Sequence, residues 1–262
     1  MFNNLSKTAL SNNGLVQPLI IDSSLTNGTG LMNPSVFYDD KSDKLLSIVR
    51  HVNYTLFHSE GKQFHHYYGP LQYVHPEDDM HLRTTNFLVE LDKESLQIKN
   101  TYKIDTSKFD VEPKWDFVGL EDARLFKWNN EYYMSGVRRD TTENGQGRME
   151  LCELNLDFKN NKVTEISRYR IPAPGKDDSY CEKNWMPVLD KPLHYVKWSN
   201  PTEVVEVLEN KTQTVKLEKT VKNIDGDLRG GSQIIKWQDY YLAVIHEVQL
   251  FNSELGRKDG KY

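Results

Sequence analysis

A chain of 262 residues with 37 % hydrophobic and 11 % aromatic content is long enough for one large domain with a sizeable core. Its net charge of −5 lacks the basic surplus of nucleic-acid binders, no apolar run approaches the ~20 residues of a membrane helix, and the N-terminus lacks the basic and apolar regions of a secretory signal. Two cysteines, Cys152 and Cys181, are too few for a disulfide framework, so the composition reads as a cytoplasmic protein of a reducing compartment.

In chain order, residues 1–30 are rich in Asn, Ser and Thr with a short apolar run at 15–21, and read as an N-terminal arm. Residues 31–262 read as a single β domain. A first hairpin is predicted over 31–50. The segment 51–86 that follows holds six of the eight histidines: His51, His58, His65, His66, His75 and His81. Strand character returns over 87–104, and a second hairpin is predicted around 121–138. Strands at 149–156 and 163–171 come next, then a Pro- and Gly-containing loop at 172–178 and a third hairpin. Strands at 204–208 and 214–217 precede a fourth hairpin. No long segment carries a helical period, so the chain reads as nearly all β.

The four hairpins form a degenerate repeat. Windows 33–50, 121–138, 183–200 and 230–247 each span 17 steps, start polar, run through an apolar strand, turn on Asp, Asn, Lys or Gln, and return through an aromatic or β-branched strand. The second and fourth share Lys-Trp before the turn (Lys127-Trp128, Lys236-Trp237) and Tyr-Tyr after it (Tyr132-Tyr133, Tyr240-Tyr241). Repeated hairpins of this kind are the signature of a β-propeller, whose inner strands would bring the polar openings together on one axis. A β-sandwich is the alternative fold. The residues after the fourth hairpin are too few to finish a blade. The propeller is therefore expected to be incomplete at its C-terminus, either as a piece of a longer protein with a possible further domain beyond Tyr262 or with its ring completed by the arm.

The chemistry concentrates at Gly119-Leu120-Glu121-Asp122-Ala123-Arg124-Leu125-Phe126, followed by Arg138-Arg139-Asp140. Two adjacent carboxylates and an arginine at one strand mouth suit proton transfer beside a fixed positive charge. A solvated ion pair at a turn is the plain alternative. The histidine-rich segment offers no His-Glu-x-x-His or Cys-x-x-Cys pair, and adjacent His65 and His66 would point to opposite faces of a strand, so no metal site is expected there.

The Glu-Asp-x-Arg element resembles the five-bladed propellers of glycoside hydrolase family 130, in particular the mannoside phosphorylases and β-mannosyltransferase-like relatives. Asn33-Pro34, Arg50 with Asn53-Tyr54, Glu182-Lys183-Asn184-Trp185, Arg229-Gly230-Gly231-Ser232 and His246-Glu247 carry the rest of the likeness, over roughly residues 31–250. The usual family form has Pro where this chain has Ala123. The resemblance implies an all-β, five-bladed propeller that acts on mannosides by phosphorolysis or glycosyl transfer, with Asp122 as the proton-transferring acid and Glu121 and Arg124 beside it. It implies an anion or acceptor-sugar site drawn from Arg50, Arg138, Lys183 and His246, with Arg229 near it. Asn33, Asn53 with Tyr54, and Asn184 would bond the sugar, and Trp185 would stack on it. Glu182 and Glu247 are candidate bases, or partners of Lys183 and Arg229. No cofactor is implied; inorganic phosphate, a sugar phosphate or a nucleotide sugar would serve as co-substrate, and a glycan or small sugar is the partner. Two alternatives stay open: a catalytically inactive glycan-binding or scaffold propeller, and a simple inverting hydrolase.

Overall fold

The computed structural model describes residues 2–27, 30–54, 64–65, 72–73, 76, 78–175, 179–218, 226–252 and 258–261. The side chains of His58, His65, His66 and His75, on which the metal reading rests, lie outside what is described.

Strands take up 54 % of the chain and helices 5 %, which establishes the all-β class. The two helices are in the arm: α1 (Phe2–Ser11) and the single turn α2 (Ser23–Thr26), whose first turn is capped by the Asp22 carboxylate accepting from the Ser24 amide at 2.8 Å. The helix α1 departs from the β-only reading; Lys7, Ala9 and Leu10 are strong helix formers, but ten residues are too few to show a period. The arm continues through Ile21, which is 4 % exposed and packs with Val49, Phe87, Val89 and Leu91.

The strands follow in meanders. β1 (Leu31–Asp39) and β2 (Lys44–Val52) make the first hairpin, then come the short β3 (Phe64–His65) and β4 (Gln72–Tyr73), β5 (Leu82–Leu91) and β6 (Ile98–Asp105). After the two-residue β7 (Phe117–Val118), β8 (Leu120–Trp128), β9 (Glu131–Arg138), β10 (Arg148–Asp157) and β11 (Lys162–Arg170) repeat the pattern. The antiparallel sets β1-β2-β5-β6 and β8-β9-β10-β11 are joined by a short parallel contact of β6 with β11. Together they form a nearly closed, barrel-like sheet of eight strands, and β7 runs parallel beside β5. A separate antiparallel sheet holds β12 (Met186–Pro187), β13 (His194–Ser199), β14 (Thr202–Leu208) and β15 (Lys211–Glu218). Three short pairs complete the described chain: β16 (Leu228–Gly230) with β19 (Ile245–Glu247), β17 (Ile235–Trp237) with β18 (Tyr240–Leu242), and β20 (Gln249–Asn252) with β21 (Lys258–Lys261).

All four expected hairpins are present, with Val36 opposite Ser47, Phe126 opposite Tyr133, Met186 opposite Val196 and Ile235 opposite Leu242. The second turns on Asn129 and Asn130 at φ 50° and 73°, the paired left-handed conformation whose twist matches the flanking strands. The shared Lys-Trp and Tyr-Tyr residues meet different fates. Trp128 is 3 % exposed and donates from Nε1 to the Val188 carbonyl at 2.9 Å, whereas Trp237 is 52 % exposed. The cause is the neighbour: β10 covers β9, while among the described residues β18 pairs only with β17.

β8 is buried on both faces from Ala123 to Phe126. Ala123 and Leu125 enter a core with Leu46, Ile48, Leu88 and Met134, and Phe126 and Trp128 enter another with Met149, Trp185 and Tyr195. A polar clamp closes the far end of the first core. The Asp39 carboxylate, 1 % exposed, accepts from Ser42 Oγ at 2.6 Å, Lys127 Nζ at 3.0 Å and the Tyr132 hydroxyl, tying β1 to β8 and β9. Burial alone would raise the Asp39 carboxyl, but these donors outweigh it and hold the group at about 2. The folded value lies below the unfolded one of about 3.8, so the gain, about 2 kcal/mol, is complete above pH 4 and lost as pH falls through 2. Urea unfolding of Asp39→Asn is expected to show a deficit at pH 7 that shrinks steadily below pH 4; a deficit independent of pH would count against the clamp.

Candidate active site

The polar residues that open the first three hairpins share a conformation. Asn33, Asp122 and Asn184 sit at φ 51°, 53° and 62°, in the left-handed region that Asn and Asp tolerate best among side-chain-bearing residues. Strand register breaks between Met32 and Ser35 and between Glu121 and Arg124, so the first two are bulge residues whose side chains are re-aimed away from the ladder. The re-aimed side chains meet: Asn33 Nδ2 donates to Asp122 Oδ1 at 2.5 Å, across 89 residues of sequence.

Arg50, at the end of β2, is the hub. Its Nη1 donates to Asp122 Oδ1 at 2.8 Å and its Nη2 to Glu121 Oε2 at 2.9 Å and Tyr54 Oη at 3.0 Å, while Nε donates to Thr84 Oγ1 at 3.1 Å. One guanidinium thus bridges both carboxylates. Behind them, Gly119 lies at φ 97°, and any Cβ there would sit 2.5 Å from the Thr84 carbonyl oxygen, so the tight entry into the pair requires glycine. The Gly119 amide donates to Asp140 Oδ2 at 3.2 Å.

The two carboxyls are driven apart. Burial would raise Asp122, but Arg50, the Asn33 hydrogen bond and the charge of Lys183 prevail and hold it below the usual range. Glu121 is raised: burial dominates over Arg50, the Asp122 charge adds to it, and its Oε1 is buried with no hydrogen-bond partner among the described residues. Burial disfavours the Arg50 cation too, but Glu121, Tyr54 and Asp122 more than offset that, and it stays charged. The pair therefore titrates as a unit, with Asp122 the ionised member and Glu121 the one that keeps a proton to higher pH.

Other expected site residues fall into two groups. Lys183 is exposed, and its charge acts on Glu121, Asp122 and Asp227. His246 lies opposite Arg229 in the β16–β19 pair; burial, with Arg124 and Arg229 beside it, lowers its basicity and leaves it neutral at pH 7. Arg229 forks onto Asp227 at 2.5 and 3.1 Å, so Asp227 rather than Glu247 is its partner. Glu247 is exposed and accepts from Gln249 Nε2 at 3.2 Å.

The second group is taken up by the protein itself. Arg138, 2 % exposed, forks onto the fully buried Asp140 at 2.5 and 3.1 Å, which removes it from an anion site. Trp185, 1 % exposed, is packed in the second core and offers no stacking face. Glu182 accepts from Trp185 Nε1 at 3.1 Å, Ser179 Oγ at 2.6 Å and Lys197 Nζ at 3.0 Å, so it is neither a free base nor the partner of Lys183. Asn53 pins a loop, accepting from the Arg83 amide at 2.7 Å and donating to the His81 carbonyl at 3.1 Å. Arg124 points its guanidinium at the carbonyls of Gly230 (2.7 Å) and Trp185 (3.5 Å), which ties β8 to the openings of the third and fourth hairpins; burial pulls it down to about 10. The Asn53 contacts with His81 and Arg83 and the Arg124 contacts with Trp185 and Gly230 are long-range pairings that sequence spacing cannot reveal.

Among the described residues no group of three or more His, Cys, Asp and Glu side chains is placed to hold a metal, and no helix is long and apolar enough to cross a membrane. Compared with known proteins, the chain matches no family model, no curated protein and no solved structure.

Proposed function

We propose that this protein is a carbohydrate-active β-propeller that transfers a glycosyl unit, most simply between a mannoside and phosphate or between a mannosyl donor and a sugar acceptor. The observation that carries the reading is the Arg50-bridged pair of Glu121 and Asp122, two carboxyls of opposite proton affinity at a strand mouth ringed by separate cations. Glycosyl transfer to or from phosphate needs one proton moved at the glycosidic oxygen and fixed charge for the anion. In the synthetic direction, Asp122 as a carboxylate takes the proton of the acceptor hydroxyl while phosphate departs toward Lys183. In the phosphorolytic direction, the incoming phosphate competes for Arg50 and raises Asp122, which then donates its proton to the leaving sugar.

The propeller architecture is part of the proposal. Three antiparallel four-stranded sets, β1-β2-β5-β6, β8 to β11 and β12 to β15, with apolar layers between them, correspond to successive blades, and the resemblance to glycoside hydrolase family 130 supplies the count of five. An inverting hydrolase is disfavoured on one point: Glu182, a candidate for the water-activating carboxylate, is already bound by three donors.

The test is incubation with mannose 1-phosphate or GDP-mannose and a mixture of acceptor sugars, following phosphate or GDP. Acceptor-dependent release from one donor is expected, and the donor used identifies the reaction. No release from either donor, together with glycan binding that Asp122→Asn leaves unchanged, would make the protein a binding module.

A further inference from the structure

The fourth hairpin repeats the contacts of the second as well as its sequence. In the second, Lys127 Nζ at 3.0 Å and the Tyr132 hydroxyl donate to Asp39 at the turn of the first hairpin, and Lys127 Nζ lies 4.5 Å from the Tyr132 ring centre. In the fourth, Tyr241 Oη donates at 3.1 Å to Asp190 Oδ2 in the turn of the third hairpin, where Lys191 Nζ lies 5.4 Å from the Tyr241 ring centre. Ile234, just before β17, is buried with Met186 and Val188 of that same third hairpin. One face of β17–β18 is therefore docked on the third hairpin as the second hairpin is docked on the first.

The other face is apolar and bare. Trp237 pairs with Tyr240 and Ile235 with Leu242, and strand alternation sets these four side chains together, on the side away from Tyr241. All four are exposed, Trp237 by 52 % and Tyr240 by 65 %, and so is Val244 just beyond them. In the second hairpin the matching face, Phe126 with its partner Tyr133 and Trp128, is covered by Trp185, Tyr195 and Val205. Among the described residues nothing covers its counterpart in the fourth. Five large side chains at this exposure present on the order of 500 Å² of apolar surface, high for a monomer; with an ordinary polar rim that reaches the ~800 Å² per partner of a stable interface.

The order of the apolar layers says which partner fits. The arm packs on the sheet β1-β2-β5-β6, that sheet on β8 to β11, those strands on β12 to β15, and the third hairpin on the fourth. The first end of this series is closed: Leu19 and Ile21 of the arm lie on Val49, Phe87 and Val89, and His51 Nε2 donates to the Thr26 carbonyl at 3.0 Å. A head-to-tail contact between two copies would have to strip that arm away. A contact of like faces displaces nothing, and being two-fold it closes at two. We propose that the outer face of β17–β18 is the interface of a homodimer, with Trp237 and Tyr240 of each copy packed against those of the other as its anchors. The pairing stands apart from the carbohydrate reading and does not depend on it.

Sedimentation velocity of the full chain over about 0.5–100 µM tests it, on wild type, Trp237→Glu, Tyr240→Glu and Ile166→Glu, each checked for a cooperative thermal transition. Ile166 is an exposed apolar residue of β11, in a different sheet, and serves as the control. Expected are a wild-type dimer that dissociates on dilution, association weakened roughly a hundredfold by Trp237→Glu and by Tyr240→Glu, and no change in Ile166→Glu. A wild type that stays monomeric at every concentration would overturn the proposal, whatever else covers the face. So would a dimer that folded Trp237→Glu and Tyr240→Glu leave intact, or one that Ile166→Glu weakens as much. Assemblies that grow past two copies with concentration would replace the two-fold contact by a head-to-tail one and overturn it as well.

Discussion

Arg50→Ala is expected to cost about 3–5 kcal/mol of stability at neutral pH, the penalty for removing the cation from a largely buried ionic cluster. Arg50 is 5 % exposed and is the only hydrogen-bond link between Glu121 and Asp122 among the described residues. Without it, two neighbouring carboxyls share a desolvated mouth with no cation in contact. The pH dependence gives the cause away. In wild type, Asp122 has a folded value below 3.8, so its contribution is present above that pH and lost below it. Glu121 has a folded value above 4.5, so its ionisation opposes folding increasingly as pH rises from 4.5 through the folded value. Removing Arg50 raises both groups, and the deficit of Arg50→Ala should be large at pH 7.5 and much smaller at pH 4. Urea unfolding at the two pH values measures this; an equal deficit at both would show that the loss is one of packing.

Asp122→Asn is expected to lower turnover of the responsive donor by about 10²–10⁴-fold, the usual worth of a positioned proton-transfer group. The substitution is conformationally mild. Asparagine already occupies the corresponding left-handed bulge at Asn33 and the left-handed opening at Asn184, so the backbone at 122 accepts it and only the charge is lost. Glu121→Gln separates the two carboxyls: it should remove the high-pH limb of the rate profile while retaining more activity than Asp122→Asn. Steady-state phosphate or GDP release across pH 4–9 reads both variants. Full activity in Asp122→Asn would remove it from the chemistry.

The hairpins were legible because their cause is local: alternation on the strands and, in the first, second and fourth, Asp43, Asn129 with Asn130, and Gln238 where the turn needs positive φ. The shared positive φ of Asn33, Asp122 and Asn184 was legible in part, since each is an Asn or Asp opening an apolar run. What was hidden was partnership. Arg50 lies 71 and 72 residues from Glu121 and Asp122, and nothing in a one-dimensional pattern connects them. Arg138 and Trp185 carried residue types suited to ligands, but Asp140 and the second core claim them, and only three-dimensional burial decides that. Arg139 sits in a turn-closing triplet, and its contacts with the Phe117 and Tyr180 rings have no counterpart in the local pattern. Trp128 and Trp237 share a preceding Lys and a following Tyr-Tyr and are opposite in exposure, since the neighbouring strand sets burial.

Carboxyl ¹³C NMR titration of the full chain, with and without mannose 1-phosphate and with Glu121→Gln and Asp122→Asn to assign the signals, bears most directly on the bridged pair as a sugar site. Expected are two coupled titrations displaced in opposite directions, Asp122 below the ordinary carboxylate range and Glu121 above it, both moving when mannose 1-phosphate is added. Two ordinary, independent titrations that ignore the sugar phosphate would contradict both the coupling through Arg50 and the function built on it.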